Sequence, residues 1–183
     1  MAGSLLQIPW SREAILTSDI ELRLYQPGDA EAFRELNEAW IARYFRLEEQ
    51  DHIQMGDPEA KILRPGGQIV MAVAGEEKIG CCALVFVKPG VFEVAKMAVS
   101  ERYRGQGIGR KLLEYIIAQA KLMGAHTLEL ATNTKLANAV HLYESVGFRH
   151  RPPEQVEPSP YVRANVFMEM HLSSAEEISG VEG

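Results

Sequence analysis

The strongest constraint on the fold is a glycine-rich turn between an apolar, strand-like segment and a segment with helical spacing. The apolar segment ends at Val99, and glycines stand at positions 105, 107 and 109. From Gly109 to Met123 the apolar residues lie on one stripe, which predicts a helix that stops at Gly124. Alternate glycines leave consecutive backbone N–H groups free at the positive end of the helix dipole. The turn therefore predicts an anion-binding cradle at the start of that helix.

Two common phosphate-binding loops do not fit this turn. A Walker loop ends in Gly-Lys-Ser/Thr, whereas Gly109 is followed by Arg110 and Lys111. The dinucleotide fingerprint requires its third glycine three residues after the second, and Arg110 occupies that position. The spacing that remains is Arg104-x-x-Gly107-x-Gly109 after an apolar strand.

The other segments predict an α/β fold in which helices cover a mixed, largely antiparallel sheet. Three apolar runs separated by the short links AGEE and KPG predict an antiparallel meander. The segment from Leu47 to Leu63 predicts a helix, or a helix and a loop, with a break near Gly56-Asp57-Pro58. Apolar patterning predicts strands over residues 20–25, 68–74, 78–87, 91–99, 126–131 and 161–172. Helical spacing predicts helices after a cap at Asp29 and over residues 109–123 and 136–146.

Length and charge narrow the class of protein. A chain of 183 residues suits one domain, which we expect over residues 20–172, between an N-terminal extension (1–19) and a flexible acidic tail (173–183). The longest apolar run, Cys81 to Val87, is too short to cross a membrane, and the first residues lack a cationic leader. We therefore expect a cytoplasmic protein that does not contact membranes. The net charge of −6 disfavours nucleic acid as a partner.

Neither the cysteines nor the histidines indicate a metal site. Cys81 and Cys82 are neighbours, so their side chains leave a strand on opposite faces, and we interpret them as small buried apolar residues. The five histidines show no metal-ligand spacing. We therefore expect no metal cofactor.

A second motif lies in the helix ANAVHLYESVGF, from Ala137 to Phe148. With the glycine-rich turn, this A-x-x-L-Y-x-x-x-G-F pattern resembles the GNAT superfamily of N-acetyltransferases, which use acetyl-coenzyme A (acetyl-CoA). The resemblance covers the chain from about Ile20 to Leu172. It implies a single GNAT-like domain with six to seven strands, and it suggests a homodimer.

The resemblance also implies how acetyl-CoA binds. The diphosphate rests on the backbone of the turn, the amides of the pantetheine arm pair with the preceding strand, and a backbone N–H near Met97 or Ala98 polarises the thioester carbonyl. The family often carries Asn seven residues before the tyrosine, where this chain has Leu136, so we assign Asn133 or Asn138 to the cofactor instead. For Asn133, a turn residue or helix cap is an equal alternative. The other cofactor residues that this implies are Met97, Ala98, Val99, Arg104, Gly105, Gln106, Gly107, Ile108, Gly109 and Arg110.

Two side chains are implied to be catalytic. Glu93 resembles the general base, acting directly or through water on an amine that must lose a proton before it attacks. Alternatively, Glu93 is only a solvated carboxylate, and a chain of waters removes the proton. Tyr143 supplies the proton for the thiolate of coenzyme A or at least hydrogen-bonds it, and its alternative is an aromatic ring that packs under the cofactor. Alternation along the strand puts Lys96 on the opposite face from Glu93, so we expect a structural or surface lysine there.

These observations predict direct acetyl transfer from acetyl-CoA to a primary amine, in a small molecule or a peptide, through a ternary complex. No covalent nucleophile is expected, because Cys81 and Cys82 lie in mid-strand. The alternatives are a non-catalytic acyl-CoA sensor and a purely structural interaction domain. Arg163 and Asn165 are weaker candidates for the acceptor pocket. A set of acidic residues either attracts a cationic amine or forms a solvated helix face: Glu48, Glu49, Asp51, Asp57 and Glu59.

Overall fold

The computed structural model describes residues 20–172, and seven strands of this part of the chain form one sheet in the order β1-β2-β3-β4-β5-β7-β6. Neighbouring strands are antiparallel except for β4 and β5, which run parallel. The predicted α/β class with a mixed, mostly antiparallel sheet is confirmed. The strands are β1 (Ile20–Leu24), β2 (Gln68–Ala74), β3 (Glu77–Lys88), β4 (Val91–Val99), β5 (Thr127–Thr132), β6 (Arg149–His150) and β7 (Val166–His171).

Helices cover both faces of this sheet. The break predicted near Gly56-Asp57-Pro58 separates the second helix from a π-helical turn, Glu59–Leu63. Within residues 20–172, no helix combines the length and apolarity that a membrane span needs. The helices are α1 (Ala30–Tyr44), α2 (Glu49–Gly56), α3 (Ile108–Leu122) and α4 (Ala137–Val146), with short 3₁₀ turns at Glu101–Tyr103 and Pro153–Gln155.

The core lies in two layers, one on each side of the sheet. Along β2, Val70 and Ala72 pack in the layer that contains α3, and Ile69 and Met71 pack in the layer that contains α1. Because both faces of β2 are covered, the strand is a continuous apolar run instead of an alternating one. This explains why the meander strands are recognisable in the sequence.

The parallel strands β4 and β5 separate soon after they begin to pair. Their register covers only Val91 to Glu93 of β4, opposite Thr127 to Glu129 of β5. On the other side of β4, the pairing with β3 moves from Cys81↔Ala98 to Ala83↔Ala95, so two residues of β4 face one residue of β3. Such a β-bulge bends a strand and increases its twist. The second half of β4 therefore borders an open gap.

The end of the sheet differs from the prediction. The strand predicted over residues 161–172 begins only at Val166, because the N–H groups of Val162 and Arg163 donate to the carboxylate of Glu48 on the α2 side instead of to a strand. The two-residue strand β6 was not predicted, since so short a run has no visible alternation. The predicted extension (1–19) and tail (173–183) lie outside the described residues.

Candidate active site

The glycine-rich turn forms the start of α3. Gly105 and Gly107 both have φ of +76°, a left-handed conformation that favours glycine. The first bond of the helix joins the Lys111 N–H to the Gly107 carbonyl at 3.1 Å. No backbone carbonyl of the described chain accepts a hydrogen bond from the six N–H groups between Gly105 and Arg110. The turn therefore presents six consecutive free donors at a helix N-terminus, as an anion-binding cradle requires.

The side chains of the turn hold it in place. Arg104 Nε donates to the Val99 carbonyl at 3.2 Å and ties the turn to the end of β4, while its buried Nη1 has no hydrogen-bond partner within residues 20–172. Arg110 Nη2 donates to Ser145 Oγ at 2.6 Å and so joins α3 to α4. Ile108 is buried in the core, and the Gln106 side chain is exposed.

The end of β4 presents part of its backbone to the gap. The Ser100 N–H donates to the Ile79 carbonyl of β3 at 2.7 Å. Because backbone groups alternate in direction along a strand, Ala98 also faces β3, and the Val99 N–H points toward the gap. Met97 lines the cavity in that gap. A chain of amides placed here has a strand edge to pair with.

The gap holds a cavity of about 100 Å³. It brings together the two side chains predicted to be catalytic, since both Glu93 and Tyr143 line it, although they come from different elements. The aromatic walls were not predicted from the sequence: Trp40, Phe45 and Tyr161. Trp40 and Phe45 lie at the end of α1, and Tyr161 lies more than 100 residues later in the loop before β7, so the three form no local motif.

Tyr143 lies on α4 with its ring against Phe148, at 6.1 Å between ring centroids. The residue is 9% exposed. Burial raises the pKa of the phenol, and the nearby Cys82 adds to the rise. The hydroxyl therefore keeps its proton at neutral pH and is available as a donor.

Glu93 stands where β4 and β5 begin to separate, directly opposite Glu129. Burial raises the pKa of Glu93, Lys96 opposes that rise, and Glu129 adds to it. Glu93 also lines a second cavity of about 220 Å³, whose walls include Arg151 and the loop from Val156 to Pro160. A carboxyl group with a raised pKa thus lies between two cavities, a suitable position for proton transfer.

A buried charge network, absent from the sequence prediction, borders the first cavity. Asp51 is fully buried and accepts hydrogen bonds from Lys96 Nζ at 2.6 Å and from both terminal nitrogens of Arg163 at 2.6 and 2.8 Å. Burial by itself raises the pKa of Asp51, but these hydrogen bonds outweigh it and hold the pKa at about 2. Asp51 is therefore neither a solvated helix residue nor a free anion for an acceptor.

Lys96 extends this network to Tyr161. Lys96 Nζ donates to Tyr161 Oη at 2.9 Å, and Tyr161 Oη donates to Gln54 Oε1 at 3.0 Å. The Tyr161 ring lies near both Lys96 Nζ, at 4.8 Å, and the Arg163 guanidinium, at 4.6 Å. Burial lowers the pKa of Lys96, and the hydrogen bond to Asp51 opposes that shift. The expectation that Lys96 and Glu93 face opposite ways is wrong, because the ammonium of Lys96 reaches the buried Asp51 on α2 and its charge acts on Glu93 beside the first cavity.

The asparagines have different surroundings. Asn133 is buried, with Nδ2 donating to the Arg163 carbonyl at 2.6 Å and Oδ1 accepting from the Lys135 N–H at 2.8 Å. It lines the cavity and has the contacts of a turn residue. Asn138 is exposed on the first turn of α4. Asn165 is exposed and accepts from the Thr134 N–H at 2.9 Å.

Comparison with known proteins identifies related sequences. Residues 30–148 match the acetyltransferase (GNAT) family. YvbK, an uncharacterised N-acetyltransferase of Bacillus subtilis, is 31% identical over 102 residues, which cover 54% of this chain and 66% of that protein. An uncharacterised N-acetyltransferase of Schizosaccharomyces pombe is 32% identical over 124 residues, which cover 66% of this chain and 73% of that protein. The chain thus spans about two thirds to three quarters of the length of these relatives.

Solved structures share the fold. An acetyltransferase of the GNAT family from Staphylococcus aureus has a TM-score of 0.77 at 23% identity. The match covers 84% of this chain and 99% of the chain of that protein. A Bacillus subtilis acetyltransferase solved in complex with CoA has a TM-score of 0.64 at 21% identity, with coverage of 84% and 99%. At these identities the likeness concerns the arrangement of the strands and helices.

Proposed function

The chain belongs to the acetyltransferase (GNAT) family, and from this premise we propose that it moves an acetyl group from acetyl-CoA directly to a primary amine within a ternary complex. One observation carries the proposal. The cavity between the separated strands β4 and β5 is lined by Glu93 and Tyr143 and lies beside a β4 edge that leads to a turn with free N–H groups. Base, acid and donor-binding backbone therefore occupy one cleft.

Acetyl-CoA supplies the thioester when it is bound, and the chain supplies the groups that hold it. The backbone from Gly105 to Arg110 receives the diphosphate, with Arg104 fixing the turn. Of the predicted strand residues, Met97 and Val99 offer backbone groups to the amides of the pantetheine arm, whereas the backbone of Ala98 faces β3. Asn133 or Asn138 adds a polar contact. The N–H groups of this part of β4 also stabilise negative charge that develops on the carbonyl oxygen, an effect of about 3 kcal/mol.

Glu93 prepares the acceptor. An amine with a pKa of about 10.4 is neutral in only about one molecule in 2,500 at pH 7, so proton removal is required. Glu93 takes this proton, directly or through water, and the amine nitrogen then bonds to the carbonyl carbon as the carbon–sulfur bond breaks. The raised pKa of Glu93 lies closer to neutral pH than that of an exposed carboxyl group, and a general base works best when its pKa is near the working pH.

Tyr143 completes the transfer at the sulfur. Its buried phenol is protonated at neutral pH and donates a hydrogen bond to the departing thiolate, whose own pKa is about 8.5. The proton that the amine nitrogen loses on becoming an amide passes to the sulfur, so the acetylated amine and the free thiol of CoA leave with Tyr143 still protonated. The acceptor amine approaches Glu93 from the second cavity, below the loop from Val156 to Pro160. A volume of about 220 Å³ suits a small amine or the terminal residue of a peptide.

A thiol-release assay with acetyl-CoA and a library of primary amines tests this function. We expect turnover with some amines, loss of at least about 100-fold in rate for Glu93→Gln, and normal rates for Glu114→Gln on the exposed face of α3. Labelled acetate bound covalently to the protein after mixing with acetyl-CoA alone would contradict direct transfer. Tight binding of CoA with no turnover on any amine would favour the sensor alternative.

We also propose that the protein is cytoplasmic and forms a homodimer. Light scattering during gel filtration of the purified protein measures its mass and tests the second statement directly. A mass of 20.4 kDa would identify a monomer.

A further inference from the structure

Lys96 has an unusual backbone conformation for its position in a strand. Its φ is +51°, and within residues 20–172 it is the one residue other than glycine with a positive φ. A left-handed conformation of this kind costs about 1 to 2 kcal/mol in a residue with a side chain. It occurs at the bulge of β4, where Lys96 and Met97 together face Cys82. The bulge shifts the alternation of side chains by one residue.

This shift places an ammonium group beside the cleft. Without the bulge, Lys96 and Glu93 would lie on opposite faces of β4, being an odd number of residues apart. With it, the Lys96 side chain reaches Asp51 on α2, and its charge acts on Glu93, which borders the same cavity of about 100 Å³. Strained conformations that persist near a site are held there by the surrounding structure.

The surroundings hold Lys96 tightly. Its side chain is only 5% exposed, and Nζ donates to Asp51 Oδ1 at 2.6 Å and to Tyr161 Oη at 2.9 Å. An ammonium group has three donors, and within residues 20–172 these two bonds are its hydrogen bonds. Asp51 is itself fixed by Arg163. The positive charge therefore has a defined position beside the cleft.

We propose that Lys96 is a positioning residue whose fixed ammonium charge stabilises the carboxylate form of Glu93, the form that accepts the proton of the acceptor amine. This inference rests on the proposed function for its role in turnover. Its direct effect, on the ionisation of Glu93, is independent of any acceptor. An opposite charge near a carboxyl group favours the ionised form, and a poorly solvated cavity strengthens that effect.

Other charges face Glu93 from both cavities. In the first cavity Arg163 is paired with Asp51 and Glu48, and Tyr161 is neutral, since burial raises its pKa. In this network two positive charges, on Lys96 and Arg163, balance two negative ones. Removal of the Lys96 charge leaves this network with one excess negative charge.

The second cavity does not replace the missing charge. Arg151 lies 3.3 Å from Glu129 and 3.5 Å from Glu169, so its charge is already compensated. The remaining charged groups of this cavity are Lys88 and Glu157, both exposed and opposite in sign. Burial and Glu129 raise the pKa of Glu93, and Lys96 is the group that opposes them. Loss of Lys96 leaves the rise unopposed.

A titration of Glu93 tests the proposal without any substrate. The protein is labelled with ¹³C in the side-chain carboxyl of glutamate, and the Glu93 resonance is assigned by its loss in Glu93→Gln. We expect Lys96→Met to raise the pKa of Glu93 by about one pH unit, and Lys96→Arg to restore most of the wild-type value. Lys121→Met, at the exposed end of α3, should leave it unchanged.

Activity then gives a separate readout. In Lys96→Met the acidic limb of the pH profile of kcat/KM should move to higher pH by the same amount, and it should return in Lys96→Arg.

An unchanged Glu93 titration in a folded Lys96→Met protein overturns the proposal. If the methionine variant does not fold, Lys96→Gln provides a neutral side chain that still hydrogen bonds, and the same comparison applies. Absence of turnover with every amine, with the Glu93 shift present, contradicts the proposed function and leaves the electrostatic role of Lys96 supported.

Discussion

At the scale of single residues, burial shifts the pKa of each ionisable group beside the cleft, unless charged partners outweigh it as they do at Asp51. Burial raises the pKa values of Tyr143 and Glu93, so one keeps its proton at neutral pH and the other binds a proton more readily than an exposed carboxylate does. Burial also raises the pKa of Cys81 to about 12. That thiol is therefore not a nucleophile at neutral pH, which agrees with transfer without an acyl-enzyme.

The first prediction concerns Tyr143. Tyr143→Phe removes the hydroxyl and keeps the ring that packs on Phe148, so we expect kcat to fall by about ten-fold or more with little loss of stability. Steady-state kinetics with the best acceptor measure the change. Tyr115→Phe, on α3 and outside the cavity lining, is the matched control. An unchanged rate in Tyr143→Phe would remove this residue from the mechanism.

The second prediction concerns Asp51 and acid. The pKa of Asp51 is about 2 in the folded chain, below its ordinary value of 3.8. A lowered folded pKa stabilises the protein above the unfolded value, and this contribution is lost as the pH falls from about 4 to about 2. The difference corresponds to about 2 kcal/mol in the free energy of unfolding.

Urea unfolding at several pH values checks this prediction. The wild type should lose that stability between about pH 4 and pH 2, and Asp51→Asn should be less stable at pH 7 and lose less over this interval. Glu49→Gln, exposed on the same helix, should behave as the wild type. If the free energy of unfolding changes with pH in the same way in Asp51→Asn and in the wild type, the Asp51 network does not contribute as stated.

At the scale of elements, the start of α3 is the part most tightly linked to its sequence. Gly107 has φ of +76°, and a Cβ there would meet nothing within 4 Å, so an added methyl group strains the backbone and does not clash. Gly124, at the other end of α3, has φ of +80° and equally open surroundings. The two glycines are thus alike in strain, and only one belongs to the cradle.

The third prediction uses this pair. Gly107→Ala and Gly124→Ala should each lower stability by about 1 kcal/mol. Only Gly107→Ala should weaken CoA binding, by about ten-fold, because it turns backbone N–H groups away from the diphosphate, and each lost charge-assisted hydrogen bond costs about that much. Calorimetry with CoA measures both proteins. Equal affinities would mean that the diphosphate does not rest on this turn.

At the scale of the whole molecule, the open gap between β4 and β5 is the proposed site of the acetyl donor. Two parts of the fold meet there, the meander with α3 and the strands β5 and β7 with α4, and beyond Glu93 and Glu129 no backbone pairing joins the two strands. A ligand that bonds to both sides therefore stabilises the entire domain.

The fourth prediction follows from this arrangement. At a CoA concentration 100 times its Kd, stability should rise by about 2.7 kcal/mol, which raises the melting temperature by about 5 to 10 °C. Scanning calorimetry with and without CoA measures the shift. AMP at the same concentration, which lacks the diphosphate and the pantetheine arm, should produce much less. A melting temperature that CoA does not change would contradict the proposed donor site.

The sequence by itself determined most of the elements and the conformation of the glycine-rich turn, but not the start of β7 or the short strand β6. The meander, the helix after Gly107 and the resemblance carried by Tyr143 depend on residues close together in the chain, where periodicity and glycine conformation act directly. Only the tertiary structure decided the position of Lys96 and the role of Asp51. Asp51, Lys96 and Arg163 lie on three separate segments, and their charges interact because folding removes them from water together; no local pattern encodes that burial.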